Sequence, residues 1–299
     1  RQNNLRSNSV ISTQDAFQTG FVGAVFSKLY VMPLQVQVHT DFLDQYFTSF
    51  FNEIRKIIAW FVLKHADQIR VVSNPIKDSI ENKYPEYKHI IKVLPIFVDV
   101  ENITNINSNA NKTKNFAFNF IILMASRLTE EKRIDIALEA FKQVFPKFPN
   151  VGLLIYGEGP EKEALENLAK DYRLIDNVAF MGWTSDILPI YNSSDIFLLT
   201  SEFEGYGMTL IEAGASGLPI VTTEVGVANT ELFKDGINSF VCPVGDVNCL
   251  AEKLTNLITD EAKRKSFGEY MRDSIKGISI SREEYVNKYV ALLESILLK

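Results

Sequence analysis

The chain alternates between short runs of β-branched and other apolar residues and longer stretches with helical spacing. Four strands are predicted in the first third, and the segments between them are predicted as helices. Such alternation is typical of βαβ units, which build a parallel sheet. The predicted strands are 9–13, 34–39, 68–73 and 90–94, and the predicted helices are 17–30, 51–64 and 76–82.

A second series begins at residue 116, where an apolar run that continues to residue 125 is typical of a strand buried on both faces. The helix after it carries apolar residues at Ile134, Leu138 and Phe141, which is the spacing of one buried face. Further strands are predicted at 151–156, 178–180, 195–200, 219–222 and 239–242, and further helices at 161–172, 187–192, 208–215, 247–258 and 282–298.

Residues 101–115 separate the two series and are rich in asparagine, serine and threonine, a composition typical of a linker. We therefore predict a first domain at 1–100 and a second at 116–280, both α/β and built on parallel sheets. The last helix, within 281–299, is expected to pack back on the first domain. Because the first domain has about four predicted strands and the chain begins at an arginine, further βα units are expected upstream.

Composition and charge narrow the range of functions. A chain of 299 residues is longer than one ordinary hydrophobic core needs, which favours two domains. The formal net charge of −6 gives no overall basic surface for nucleic acid, so no nucleic-acid partner is expected. Cys242 and Cys249 are too few for a disulfide framework, and no histidine lies close enough in sequence to suggest a zinc site. A reducing, cytoplasmic setting is expected.

The apolar segment 57–63 bears on membrane contact. It is far shorter than the ~20 residues that span a bilayer. Arg55, Lys56 and Lys64 flank it. This pattern favours a core helix whose lysines reach solvent, and it permits a peripheral contact with the inner face of a membrane.

Residues 204–212 place two glutamates around a glycine turn that opens an apolar helix. Gly205 and Gly207 allow the backbone to turn tightly and to approach a ligand, and the first N–H groups of a helix that starts near Met208 would point at it. Glu212 would lie about one turn into a buried helix, where a charge needs a partner. A pair of sugar hydroxyls is a natural partner.

Two cations follow the first strand of the second series. Arg127 is expected at the carboxyl end of that strand, and Lys132 in the first turn of the next helix. Ligands of open parallel sheets bind at the carboxyl ends of the strands, and a cation in a first helical turn opposes the helix dipole. Taken alone, the two cations are more typical of a solvated surface. Together with the glutamate pair they favour a bound anion such as a phosphate.

These motifs resemble those of the large family of retaining glycosyltransferases known as family four, whose GT-B fold has two Rossmann-like domains. The match covers most of residues 116–299 in the family's order, and in the first domain it covers 36–40, 66–67 and 72–73. The chain departs from the family's pattern at 226–231, which leaves the donor sugar open. The matching segments are 126–128, 131–132, 157–160, 177–178 with Gly182, 201–207, 212–213, 217–219, 235–238 and 243–246.

The resemblance implies a role for each candidate residue. Arg127 and Lys132 would bind the diphosphate of a nucleotide-sugar donor, Glu212 its ribose hydroxyls, and Glu204 would lie against the donor sugar. His39 matches the histidine that faces the reaction centre in relatives, and a structural role fits it equally well. Backbone N–H groups that would reach sugar or phosphate oxygens are those of Tyr206, Gly207, Met208 and Thr209.

The reaction so implied moves a sugar, with retention of configuration, from a UDP- or GDP-sugar to a hydroxyl of a saccharide or a lipid-linked saccharide. Negative charge builds on the leaving phosphate, where cations and helix N–H donors lower the barrier, so no metal or other cofactor is expected. Two alternatives stay open: a non-catalytic fragment that binds nucleotide sugars, and a GT-B nucleotide-sugar epimerase. A dinucleotide-dependent oxidoreductase is disfavoured because 125–130 lacks the Gly-x-Gly-x-x-Gly pattern.

Overall fold

The protein, in a computed structural model, is described over residues 9–105 and 118–297. The chain divides into two compact units: the first unit is Arg1–Phe97 with Ile280–Lys299, and the second unit is Val98–Ser279. Both units contain helices and a sheet whose strands are all parallel. The alternation of strand and helix patterns along the sequence therefore predicts the fold class correctly.

The first unit contains a four-stranded sheet with the order β1-β2-β3-β4. The strands and helices lie where the sequence predicts them, with small differences at the ends. The strands are β1 (Ile11–Thr13), β2 (Leu34–Val38), β3 (Gln68–Val71) and β4 (Ile91–Val93), and the helices are α1 (Gln18–Tyr30), α2 (Phe50–Lys64) and α3 (Asn74–Lys83).

The second unit contains a six-stranded sheet with the order β10-β9-β8-β5-β6-β7. The strands are β5 (Phe120–Ala125), β6 (Val151–Tyr156), β7 (Val178–Gly182), β8 (Ile196–Leu199), β9 (Ile220–Thr223) and β10 (Phe240–Cys242). The helices are α4 (Val100–Asn105), α5 (Ile134–Val144), α6 (Lys162–Asp171), α7 (Leu188–Ser193), α8 (Met208–Ala215), α9 (Val247–Thr259) and α10 (Glu261–Ile278). The strand order reverses between β5 and β8, and ligands of such sheets bind outside the carboxyl ends of the strands at that switch point.

Apolar cores cover both faces of this sheet. Ile122 and Met124 of β5 belong to one core cluster, whereas Ile121, Leu123 and Ala125 belong to the other. Successive side chains of a strand point to opposite faces. The uninterrupted apolar run therefore reflects burial on both faces, as its pattern predicts.

The last helix, α11 (Arg282–Leu297), belongs to the first unit. Its contacts with the sheet include polar groups: the Gln37 amide donates a hydrogen bond to the Tyr289 hydroxyl at 2.9 Å, and the Arg70 guanidinium donates to the Tyr285 hydroxyl at 2.9 Å. Gln37 and Arg70 are almost fully buried. Buried polar groups cost free energy unless they are hydrogen-bonded, so these contacts favour the side of α11 that faces the sheet.

Helix α2 combines a buried side with an exposed apolar one. Ala59, Val62 and Leu63 are buried, as a core helix requires, but Ile57 and Trp60 are exposed. Over 9–105 and 118–297, no helix is long and apolar enough to cross a membrane. The prediction of a core helix therefore holds for one side of α2, and the other side carries an exposed apolar surface.

Two helices were not expected from the sequence. Helix α4 occupies the start of the predicted linker 101–115, because Val100 and Ile103 are buried in a core cluster of the second unit. The rest of that linker, 106–115, lies outside the described residues. Helix α10 is largely polar, and one of its few buried positions is a glycine. The spacing of its apolar residues therefore does not predict a helix. The buried residues are Phe267, Gly268, Met271 and Ile275.

Cys242 and Cys249 form a disulfide, which corrects the expectation drawn from the low number of cysteines. Cys242 ends β10, and Cys249 lies in the first turn of α9. The Asp246 carboxylate caps α9 by accepting a hydrogen bond from the Cys249 N–H at 2.9 Å. The turn between strand and helix brings the two Cα atoms to 5.9 Å, a usual separation for a disulfide.

Candidate functional site

The loop after β5 carries two cations in different surroundings. Lys132 ends a 3-10 turn and α5 begins only at Ile134, so the prediction that Lys132 lies in the first helical turn is wrong. The Arg127 side chain is 74% exposed, and its Nη2 lies 3.1 Å from Glu131 Oε1. Arg127 therefore lies at the rim of the sheet edge and keeps the freedom to contact a ligand.

The Lys132 ammonium is paired with the Glu204 carboxylate, which follows β8 on the other side of the switch point. Nζ lies 2.8 Å from Oε1, and the two side chains are only 11% and 12% exposed. The Ser201 hydroxyl donates to the same oxygen at 2.8 Å. Because a buried charge is costly without a partner, Glu204 and Lys132 hold each other in place, and the structure brings together two candidates from distant parts of the sequence.

A strained arginine connects the loops after β5 and β8. Arg133 has a φ of 46°, in the left-handed region that few residues other than glycine adopt. Its guanidinium pairs with Asp135 and Glu202, and its carbonyl accepts a hydrogen bond from the Thr200 hydroxyl at 2.8 Å. These contacts stabilise a backbone conformation that would otherwise be unfavourable. Nothing in the local sequence distinguishes Arg133 from the neighbouring cations, so its left-handed conformation and its contacts could not be predicted.

The glycine turn before α8 has the conformation that the sequence predicts. Gly207 is the N-cap residue of α8 and has a φ of 92°. It offers no side chain to the first N–H groups of the helix, so those amides stay available to a ligand. The Tyr206 carbonyl accepts a hydrogen bond from the Val227 N–H at 2.7 Å, which fixes the turn against the loop after β9.

Glu212 lies one turn into α8, and its partner is Tyr191 of α7. The Tyr191 hydroxyl donates to Glu212 Oε2 at 3.0 Å. Burial raises the pKa of Glu212, and the hydrogen bond from Tyr191 opposes this rise. The expectation that this carboxylate needs a partner is confirmed. No local pattern identifies Tyr191, which is 21 residues away in sequence.

His39 lies in the first unit, directly after β2. Burial lowers the pKa of His39, and the positive charge of Arg70 lowers it further. The Nε2 atom is buried and has no hydrogen-bond partner among the described residues. A neutral imidazole with an unpaired nitrogen can exchange a hydrogen bond or a proton with a ligand. The other candidates, Arg127, Lys132, Glu204, Tyr206, Gly207, Met208, Thr209 and Glu212, all belong to the second unit.

Within the described part of the chain, no group of three or more histidine, cysteine, aspartate or glutamate side chains could hold a metal ion. The site at the switch point is instead built from two cations, two carboxylates and a helix N-terminus. This combination suits a ligand that carries both negative charge and hydroxyl groups.

A family comparison agrees with that chemistry. Residues 105–274 match the sequence profile described as "Glycosyl transferases group 1". The chain belongs to this family. The matched range contains every candidate residue of the second unit, and the resemblance drawn from the motifs is confirmed.

Relatives of the chain include two bacterial proteins whose names contain an N-acetylglucosaminyl group. The chain is 30% identical over 177 residues to the N-acetyl-alpha-D-glucosaminyl L-malate synthase of Bacillus anthracis. The aligned region covers 59% of this chain and 46% of that protein. It is 29% identical over 200 residues to the poly(ribitol-phosphate) alpha-N-acetylglucosaminyltransferase of Staphylococcus aureus strain COL. That aligned region covers 66% of this chain and 40% of the transferase. The chain thus spans less than half the length of these two relatives.

Solved structures with the same fold include proteins bound to UDP. Anabaena Alr3699/HepE, in complex with UDP and glucose, has a TM-score of 0.82 at 21% identity, over 98% of this chain and 80% of that chain. The pneumococcal O-GlcNAc transferase GtfA, in complex with UDP and GlcNAc, has a TM-score of 0.79 at 22% identity, over 99% of this chain and 58% of that chain. At these identities the likeness concerns the fold, and it confirms the α/β GT-B prediction.

Proposed function

We propose that this protein transfers a hexose from a nucleoside-diphosphate sugar to a hydroxyl of a saccharide or a lipid-linked saccharide, with retention of configuration and without a metal ion. The observation that carries this proposal is the Lys132–Glu204 pair at the switch point, next in sequence to the uncapped N-terminus of α8 and Glu212. Family membership supports the same conclusion.

Each group has a task in this proposal. Arg127, Lys132 and the first N–H groups of α8 bind the diphosphate, Glu212 accepts hydrogen bonds from the ribose, and Glu204 contacts the donor sugar. Arg127 is exposed and ready for a ligand, whereas Lys132 is already fixed by Glu204. Positive groups fixed in advance need little reorganisation when negative charge develops on the leaving phosphate.

In the proposed chemical step one bond breaks, one bond forms and one proton is transferred. The bond between the anomeric carbon and the leaving phosphate breaks, and the acceptor oxygen forms a bond to that carbon on the same face. The acceptor proton passes to the leaving phosphate, so the nucleoside diphosphate leaves as the product. His39 stays a catalytic candidate of the first unit, supported by its neutral, unpaired imidazole.

We infer that the donor is a UDP-sugar rather than a GDP-sugar. The support comes from relatives: HepE and GtfA were solved with UDP, the first with glucose and the second with GlcNAc. N-acetylglucosaminyl groups also appear in the names of the Bacillus and Staphylococcus relatives. UDP-glucose and UDP-GlcNAc are therefore the donors to test first.

The proposed donor site is tested by nucleotide binding. Isothermal titration with UDP, GDP, UDP-glucose and UDP-GlcNAc should show binding that Lys132→Ala weakens at least about tenfold, the effect of losing a charged hydrogen bond. Lys147→Ala is the matched control, because Lys147 is an exposed lysine of the same unit. An unmodified protein that binds none of the four would refute the proposal.

A second candidate function is nucleotide-sugar binding without transfer. It is supported by the location of all the candidate donor-binding groups in one unit, the second. Incubation of UDP-GlcNAc with saccharide acceptors in EDTA distinguishes the two, because a transferase forms an α-linked product and a binding protein leaves the donor intact. Interconversion of the donor sugar without an acceptor would indicate an epimerase.

We also propose a cytoplasmic location with peripheral contact at the inner face of a membrane through α2. Phe50, Phe51, Ile57 and Trp60 expose apolar area on this helix, and its cations Arg55, Lys56 and Lys64 complement anionic lipids. Sedimentation with vesicles that contain anionic phosphatidylglycerol should capture the protein, and vesicles of phosphatidylcholine alone should capture less.

A variant pair tests this surface. Ile57→Ser should reduce capture by the anionic vesicles, because Ile57 is 68% exposed on α2. Ile175→Ser is the control, since Ile175 is 60% exposed but lies in the second unit. Equal capture of the two variants and the unmodified protein would contradict a contact through α2.

A further inference from the structure

A tyrosine behind the candidate site makes a contact that packing does not require. Tyr191 is fully buried and has its ring centroid 5.8 Å from that of Phe197. It belongs to the same apolar core as Leu210 and Ile211 of α8. A phenylalanine would satisfy this environment, whereas a buried hydroxyl costs free energy unless it finds a partner. The presence of a hydroxyl at this position is therefore not explained by packing alone.

The partner of that hydroxyl is Glu212 Oε2, at 3.0 Å. The Tyr191 hydroxyl has one proton to donate and Glu212 has two oxygens, so one oxygen is anchored and the other is left for a ligand. Anchoring one oxygen also restricts the rotation of the carboxylate. A buried carboxylate on a helix, fixed by a phenol from a neighbouring helix, is a pre-organised acceptor.

We propose that Tyr191 is a positioning residue for the nucleotide: its hydroxyl holds the Glu212 carboxylate in the orientation that accepts hydrogen bonds from the ribose hydroxyls. This inference rests on the proposed function, in which Glu212 binds the ribose. Because Tyr191 is fully buried, it would act through Glu212 and would not contact the nucleotide itself.

The electrostatics agree with this arrangement. Burial raises the pKa of the Tyr191 phenol well above its usual range, and the neighbouring Glu212 raises it further, so the hydroxyl stays protonated and remains a donor. The same hydrogen bond favours the ionised form of Glu212, against the effect of burial. The Tyr191 hydroxyl is therefore the donor of the pair and the Glu212 carboxylate its acceptor.

The test combines two variants with two forms of the nucleotide. UDP, GDP and their 2′,3′-dideoxy forms are titrated into the unmodified protein, Tyr191→Phe and Tyr172→Phe. Tyr172 is the matched control, because its ring packs against the other core of the same unit, under the Lys142 ammonium. Melting temperatures of all three proteins report folding separately from binding.

We expect the unmodified protein and Tyr172→Phe to bind the ribose form at least about tenfold more tightly than the dideoxy form. Tyr191→Phe should bind UDP about tenfold more weakly and should distinguish the two forms far less, because its carboxylate is no longer oriented. Combining Tyr191→Phe with Glu212→Gln should add little to the loss caused by Glu212→Gln alone.

Two results would overturn the inference, and they can be told apart. If Tyr191→Phe distinguishes the two forms as strongly as the unmodified protein does, Tyr191 has no positioning role, and the proposed function stands. If the unmodified protein itself binds both forms equally, Glu212 does not bind the ribose, and the positioning role fails with it.

Discussion

Lys132 and Glu204, 72 residues apart in sequence, form an ion pair with 2.8 Å between Nζ and Oε1. The pair joins the loops that follow β5 and β8, the two strands at which the order of the sheet reverses. The Ser201 hydroxyl completes it by donating to the same glutamate oxygen. The pair therefore links the two loops and fixes the groups that we assign to the donor.

Removing one partner of this pair should destabilise the second unit. Lys132→Met leaves the Glu204 charge buried without compensation, which typically costs about 3–5 kcal/mol. Urea unfolding should show this loss, whereas Lys132→Met combined with Glu204→Leu should recover most of the stability without recovering nucleotide binding. A single variant as stable as the unmodified protein would show that the pair is dispensable for folding.

Neutralising Glu212 should stabilise the protein at neutral pH. Because burial raises the folded-state pKa of Glu212, the folded chain holds this proton more tightly than the unfolded chain does. Ionisation therefore costs stability as pH rises from the ordinary glutamate value through the raised one, and the cost is fully present above it. Glu212→Gln avoids the cost.

The measurement compares unfolding of Glu212→Gln and the unmodified protein at pH 7 and at about pH 4, near the ordinary pKa of glutamate. The variant should be the more stable protein at pH 7, and the difference should shrink at the lower pH. It should still bind nucleotide more weakly. A variant that is less stable at pH 7 would contradict the sign of this argument.

Alanine at Gly207 should damage the donor site more than it damages the fold. The residue has a φ of 92°, where a side chain is strained by about 1–2 kcal/mol. Gly236 has a φ of 74° and open space around it, so Gly236→Ala carries similar strain away from the candidate residues. Both variants should lose similar stability, but only Gly207→Ala should lose nucleotide affinity by titration.

Two glycines of α10 should respond in opposite directions to alanine. A Cβ at Gly268 would come within 2.2 Å of the Gly217 carbonyl oxygen, so Gly268→Ala must push α10 away from the turn after α8. A Cβ at Gly277 meets no atom within 4 Å, so Gly277→Ala should gain up to about 1 kcal/mol of helix propensity. Thermal unfolding distinguishes them, and equal melting temperatures would contradict the close approach.

The sequence predicts best those features that depend on neighbouring residues. The buried run of β5, the glycine turn at Gly207 and the position of Glu212 one turn into α8 all follow from local spacing. Tyr191 and Gly268 could not be predicted in this way. Their roles depend on Glu212 and on the Gly217 carbonyl, which the fold brings close from distant parts of the chain.

The place of α11 in the first unit affects the order in which the protein can fold during synthesis. Gln37 and Tyr289, whose side chains are hydrogen-bonded, are 252 residues apart, so the sheet of the first unit needs α11 before these contacts can form. Folding during synthesis usually begins with the parts that emerge first. Here the second unit, Val98–Ser279, is synthesised between the strands of the first unit and α11, so these strands leave the ribosome long before the helix that packs on them.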